Sequence, residues 1–251
     1  MRTQVKSQRQ IAAMRESGRM LAAVLRVVSS AVEPDVSTKQ LATIAAKELQ
    51  ALGGEPAFLG HEGYADVICI SVNEEIVHGI PSATKILRAG DIVGLDFGVR
   101  YQGMLTDGAI SVIVGKSTDQ KIATLLDVTR ESLRVGIEAV HDHVRVGDIS
   151  SAIESYIRSQ GAYGIPRELV GHGVGTYLWE EPNIPNYGRV DTGPWLEKGM
   201  TIAIEPMVTL GTDKIRLKED GWTIASADGS WAAHFEHTVL ITADGAEILT
   251  Q

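Results

Sequence analysis

Four acidic side chains of this sequence sit where charge is hard to accommodate. Asp96 lies in IVGLDFGV, Asp107 in LTDGAI, Glu205 in IAIEPMV and Glu236 in HFEHTV. All are apolar, strand-like runs in which an unpaired carboxylate is costly. Buried acids call for arginines or metal ions as partners. His172 sits in GHGVG, between glycines that leave room around its ring and let the backbone approach a neighbour closely. Four carboxylates and one imidazole, with no thiolate among them, suit a pair of hard or borderline divalent ions such as Mn, Fe, Co or Zn. Two such ions would polarise a carbonyl and activate water for hydrolysis.

The elements that must position these residues follow from periodicity. Apolar residues Ile11, Met14, Leu21, Leu25 and Val28 recur at helical spacing from Gln8 to about Ala31. A second helix is expected after Ser37, where Ser37 and Gln40 have capping-box spacing, and it should stop at Gly53-Gly54. Strands are expected over Val67 to Val72, Asp91 to Val99 and Met104 to Val114, the last two joined through a turn at Arg100 to Gly103. If that turn is centred between Tyr101 and Gln102, Asp96 and Asp107 are directly opposed. Like charges about 4.5 to 5.5 Å apart destabilise a sheet unless something neutralises them.

The second half repeats this order, with helices over Thr118 to Val140 and Asp148 to Gln160, and then strands. Leu87, Gly90, Leu95 and Asp96 recur as Leu196, Gly199, Ile204 and Glu205 at the same spacing. Asp107 lines up loosely with Glu236, and Arg15-Glu16-Ser17 matches Arg130-Glu131-Ser132. The expected architecture is therefore α/β (α+β), a single domain over 1–251 with an internal repeat of about 8–115 and 118–251. Two pseudo-symmetric halves would pack antiparallel sheet against outer helices and bring four carboxylates near a pseudo-two-fold axis.

Composition narrows the class. A formal charge of -9 argues against a chain that grips nucleic acid along its length. Arg2, Lys6, Arg9, Arg15 and Arg19 read as a solvated helix face. The polar N-terminus lacks the apolar core of a signal peptide, and no apolar run approaches the roughly 20 residues that span a bilayer. A cytoplasmic protein without membrane association is expected. The lone Cys69 makes no internal disulfide.

Taken in order, VNEEIVHGIP, DIVGLDFGV with TDGA, GHGVG followed by EEPNIPN, MTIAIEPMV, DGWT and FEHTV resemble the type I methionine aminopeptidases. These are short bacterial enzymes of the pita-bread fold in the M24 metallopeptidase family. The resemblance covers nearly the whole chain. It implies that Asp96, Asp107, His172, Glu205 and Glu236 are the ligands of two divalent metal ions, with Asp107 and Glu236 bridging them. It further implies that a hydroxide held by the metals removes the first methionine of nascent polypeptides, that Glu205 passes on the proton, and that His78 hydrogen-bonds the substrate. It places the methionine pocket at Phe58, His61, Tyr64, Cys69, Leu178 and Trp222, and it implies a monomer. Nascent substrates would bring the enzyme to the ribosome, a contact that no motif here marks.

Three positions depart from the family pattern. His61 stands where relatives commonly have Tyr, Phe58 where many have a small residue, and Trp179 where a histidine normally precedes EEP. That histidine helps to stabilise the tetrahedral intermediate, and loss of one such donor costs on the order of 10²-fold in rate. A slow or specialised enzyme is therefore expected. The rival expectations are an Xaa-Pro aminopeptidase-like peptidase, and a non-catalytic peptide-binding or ribosome-associated paralogue.

Overall fold

The computed structural model describes residues 3–116 and 119–251. Arg2 of the expected basic face and Thr118, where the third helix was expected to begin, lie outside them. Four helices form where the periodicity places them: α1 (Gln8–Ser30), α2 (Thr38–Leu52), α3 (Gln120–Glu138) and α4 (Val146–Gln160). The expected capping box opens α2, with Ser37 and Gln40 exchanging hydrogen bonds, and Gly53 closes it in a left-handed conformation at φ 79°. A second capping box, at Ser7 and Gln10, opens α1.

The principal sheet has nine strands among the described residues. They are β1 (Glu55–Pro56), β2 (Cys69–Val72), β3 (Ile92–Tyr101), β4 (Met104–Ile113), β5 (Val170–Gly173), β6 (Glu180–Pro185), β7 (Thr201–Ile204), β8 (Glu236–Ile241) and β9 (Ala246–Ile248). Their order is β1-β3-β4-β8-β7-β5-β6, with β2 also beside β3 and β9 beside β8. Every pairing is antiparallel. The hairpin β3-β4 therefore meets β7 and β8 across the central β4-β8 contact.

The hairpin register differs from the sequence expectation. The turn is the two-residue loop Gln102-Gly103, both at positive φ (48° and 78°), and Tyr101 pairs with Met104. Such a loop matches the right-handed twist of the strands it joins. Asp96 consequently faces Ala109, and Asp107 faces Gly98. The two acids are diagonal neighbours, a relation that spaces residues by about 7–8 Å. Because the pairing moves by two residues, both carboxylates stay on the same face.

Strand alternation then separates core from site. Val93, Leu95, Phe97 and Val99 pack with residues of α1 and α2, and Ile202, Ile204, Val239 and Ile241 with residues of α3 and α4. These eight side chains share one face of the sheet, as the pairings of Phe97 with Gly108, Gly108 with His237 and His237 with Ile204 require. Each large one removes apolar surface worth about 1.5–3 kcal/mol from water. The opposite face receives Asp96, Asp107, His172 and Glu236.

Helix α1 is held tightly against the C-terminal segment at Gly18, where a Cβ would lie 1.9 Å from the carbonyl oxygen of Leu249. On helix propensity alone Gly18→Ala gains about 1 kcal/mol. Overpacking against fixed backbone costs about 1–3 kcal/mol and should win. The urea midpoint of Gly18→Ala is expected to fall, and a rise would show that α1 can move away from the sheet.

Candidate metal centre

The site is built from two rows that cross the sheet. One runs Cys69–Asp96–Ala109–Glu236 over β2, β3, β4 and β8. The other runs His172–Ala203–Thr238 over β5, β7 and β8. Small alanine side chains stand in these rows at 109 and 203, and the space over Gly98 is taken by Phe58 and Ala57, a Cβ there lying 2.7 Å from the Phe58 ring. Glu205 follows the last residue of β7, and its backbone carbonyl accepts a hydrogen bond from buried Asn186 (3.0 Å). The glycines beside His172 serve close approach: a Cβ on Gly171 would meet the carbonyl oxygen of Ala203 at 2.4 Å, and one on Gly173 that of Glu181 at 2.7 Å.

His172 is held with one ring nitrogen turned to the acids. Its Nδ1 lies 2.9 Å from the carbonyl oxygen of Gly173, which can only accept, so the proton sits on Nδ1 and the Nε2 lone pair faces the acids. That Nε2 is 3.4 Å from Glu205 Oε1 and 4.0 Å from Asp107 Oδ2. Burial, reinforced by neighbouring carboxylates, holds Asp96, Glu205 and Glu236 well above the usual carboxylate range. Asp107 is pushed up to about 7, chiefly by burial. His172 is lowered to about 4 by the same desolvation.

These groups fit divalent cations. Asp96 Oδ1 and Glu236 Oε1 are buried without a hydrogen-bond partner, and no lysine or arginine pairs with any of the four acids among the contacts of the described residues. Asp107, His172 and Glu236 each offer a ligand atom, all lying within 4.8 Å of one another. Glu205 and Glu236 form a second such group with His234, a residue that the sequence reading passed over. The available signal was the His-Phe-Glu spacing, which on an extended chain sends His234 and Glu236 to the same side.

All thirteen residues singled out from the sequence line one cavity of about 390 Å³. Its walls beyond the acids are largely apolar. Phe58, Tyr64, Cys69 and Leu178 are buried, and Trp222 stands edge-on to Tyr64 with centroids 5.1 Å apart. His78 enters from a left-handed backbone conformation (φ 60°) that a non-glycine residue adopts at a cost. Burial lowers it to about 4. Trp179, 41% exposed, stands edge-on to His61 at 4.7 Å and lies 6.5 Å from the His78 ring. The indole thus occupies the cavity mouth between two imidazoles.

The sequence profile of metallopeptidase family M24 matches residues 12–243, a span that contains the whole metal centre. The chain belongs to this family. Within M24 it falls in the methionine aminopeptidase group. It is 42% identical over 246 residues to methionine aminopeptidase 1 of Bacillus subtilis, with 98% of each chain covered. It is 44% identical over 254 residues to the methionine aminopeptidase of Aquifex aeolicus, covering 98% of this chain and 97% of that one. The crystal structure of the Thermotoga maritima methionine aminopeptidase superposes with a TM-score of 0.97 at 44% identity, over 99% of both chains. Prolidase from Pyrococcus furiosus shares the pita-bread fold alone, with a TM-score of 0.79 at 23% identity over 98% of this chain and 65% of that one. This M24 member is accordingly a metal-dependent hydrolase.

The carboxyl shifts set a pH dependence for the metal-free M24 chain. In the folded state these acids keep protons that the unfolded chain has released, so they make stability fall as pH rises. Histidines held neutral by burial act in the opposite sense, but only below their unfolded pKa of about 6.5. Chelated protein should therefore lose stability between about pH 6.5 and 8, and saturating Mn²⁺ should remove the loss. Urea midpoints in EDTA and in Mn²⁺ across that range check this, and equal slopes in the two would contradict it.

Proposed function

We propose that this chain removes the N-terminal methionine from nascent polypeptides in the cytoplasm, as a monomer with one catalytic domain, using two divalent cations held by Asp96, Asp107, His172, Glu205 and Glu236. The observation that carries the reading is the juxtaposition, in one cavity, of an unbalanced four-carboxylate cluster and an apolar aromatic pocket. Bound divalent cations would supply Lewis acidity toward the first peptide carbonyl and toward water.

The residues of the chain account for the rest. Glu205 bears a carboxyl that burial holds well above the usual carboxylate range, which suits it to take and return a proton, as hydrolysis at an amide nitrogen requires. His78 is neutral and can donate a hydrogen bond to the substrate beside the scissile bond. Phe58, Tyr64, Cys69, Leu178 and Trp222 enclose an unbranched thioether, and contacts of its sulfur with the rings add about 0.3–1.5 kcal/mol each. Small second residues suit a cleavage point at the floor of the cavity. No helix among the described residues is long and apolar enough to cross a membrane.

Trp179 is the feature that sets the rate. An indole offers one N–H donor in a fixed ring and no proton to transfer, in contrast to an imidazole. With Mn²⁺ or Co²⁺ added, the protein should cleave Met-Ala-Ser and leave Ala-Pro-Ala intact, and Trp179→His should raise kcat on Met-Ala-Ser by up to about 10²-fold. Cleavage of Ala-Pro-Ala in preference to Met-Ala-Ser would overturn the substrate assignment. Unchanged or lower turnover in Trp179→His would remove Trp179 from the rate-setting role.

A further inference from the structure

His234 stands outside the five-ligand set, yet its position is built as firmly. It ends the strand Ala232–His234, paired through Met207, and its backbone is clamped by Ser111 of β4. The His234 N–H donates to Ser111 Oγ (2.9 Å), and that hydroxyl donates to the His234 carbonyl (2.9 Å). The side chain is only 3% exposed, and Nε2 has no hydrogen-bond partner. It points at two carboxylates, lying 3.7 Å from Glu205 Oε2 and 3.7 Å from Glu236 Oε2.

Those separations are too long for hydrogen bonds. They come close to what two donors on one cation require: with metal–ligand bonds of about 2.0–2.2 Å, adjacent ligand atoms lie about 2.8–3.6 Å apart at octahedral or tetrahedral angles. Glu205 supports the same conclusion from its other side. Its Oε1 faces His172 Nε2 at 3.4 Å while its Oε2 faces His234, so the carboxylate is flanked by two imidazoles. The Glu205, His234 and Glu236 ligand atoms all fall within 4.8 Å of one another.

We propose that His234 is a sixth ligand of the metal centre, binding a divalent cation through Nε2 together with Glu205 and Glu236. The proposal rests on the reading that the carboxylate cluster holds cations. A second imidazole shifts the donor set toward nitrogen, and the centre should accordingly prefer Fe²⁺, Co²⁺ or Zn²⁺ to Mn²⁺ more strongly than a one-histidine site does.

The test counts imidazoles directly. Wild-type protein, His172→Gln and His234→Gln are loaded with Co²⁺ and examined by X-ray absorption, with Co²⁺ affinity measured by calorimetry. The expected result is two imidazoles per centre in wild type and one in each variant. Co²⁺ binding should weaken by at least about 10-fold in His234→Gln. A single imidazole in the loaded wild type, a reading that needs no variant to fold, would overturn the ligand role of His234 and leave the five-ligand reading standing. Failure of wild type to bind Co²⁺ at all would overturn both.

Discussion

The constraint on which this molecule depends is the burial of four carboxylates at one face of a sheet with no lysine or arginine paired to them among the described residues. Protonation and metal binding are the two ways to relieve it, and near neutral pH they compete. Asp96, Glu205 and Glu236 are held well above the usual carboxylate range by desolvation and mutual repulsion. The same repulsion gives a divalent cation its affinity, because binding exchanges protons and strain for strong electrostatic contacts. The opposite face carries the stabilising burden. Aliphatic residues of β3, β7 and β8 pack there with residues of the four helices. The strained face can be tolerated because the other is so thoroughly packed.

Around that centre, the walls of one cavity differ in chemical character. The floor is acidic and polar. The sides are Phe58, Tyr64, Leu178 and Trp222, which shape an apolar recess without taking part in proton transfer. The mouth holds Trp179 between the rings of His61 and His78. A change at the mouth can alter the rate while the sheet, the ligands and the recess stay as they are. The Trp179 ring fills space beside His78 and cannot do an imidazole's proton chemistry.

Much of this was legible in the linear chain because the signals are local. Acids in apolar runs, a histidine between glycines, a capping box at Ser37 and Gln40, and a stop at Gly53 each need only a few neighbouring residues to be read. The hairpin itself was legible, but its register was not. A turn centred one bond earlier pairs Asp96 with Asp107 directly, whereas positive φ at both Gln102 and Gly103 moves the pairing by two residues and makes the acids diagonal. Composition allows either turn, and twist matching between long strands selects the tighter one.

His234 marks the boundary most clearly. As one histidine among seven it carries no distinguishing local pattern beyond its spacing to Glu236. Its importance arises because Ser111, far away in sequence, clamps its backbone, and because Glu205 arrives from another strand. The sequence by itself determined which acids stand in apolar strand-like runs and the family to which the chain belongs, since these follow from local pattern and ordered motifs. Only the tertiary structure decided which carboxylate oxygens face which imidazoles. That depends on pairing register and on contacts between residues more than a hundred positions apart, which no local pattern encodes.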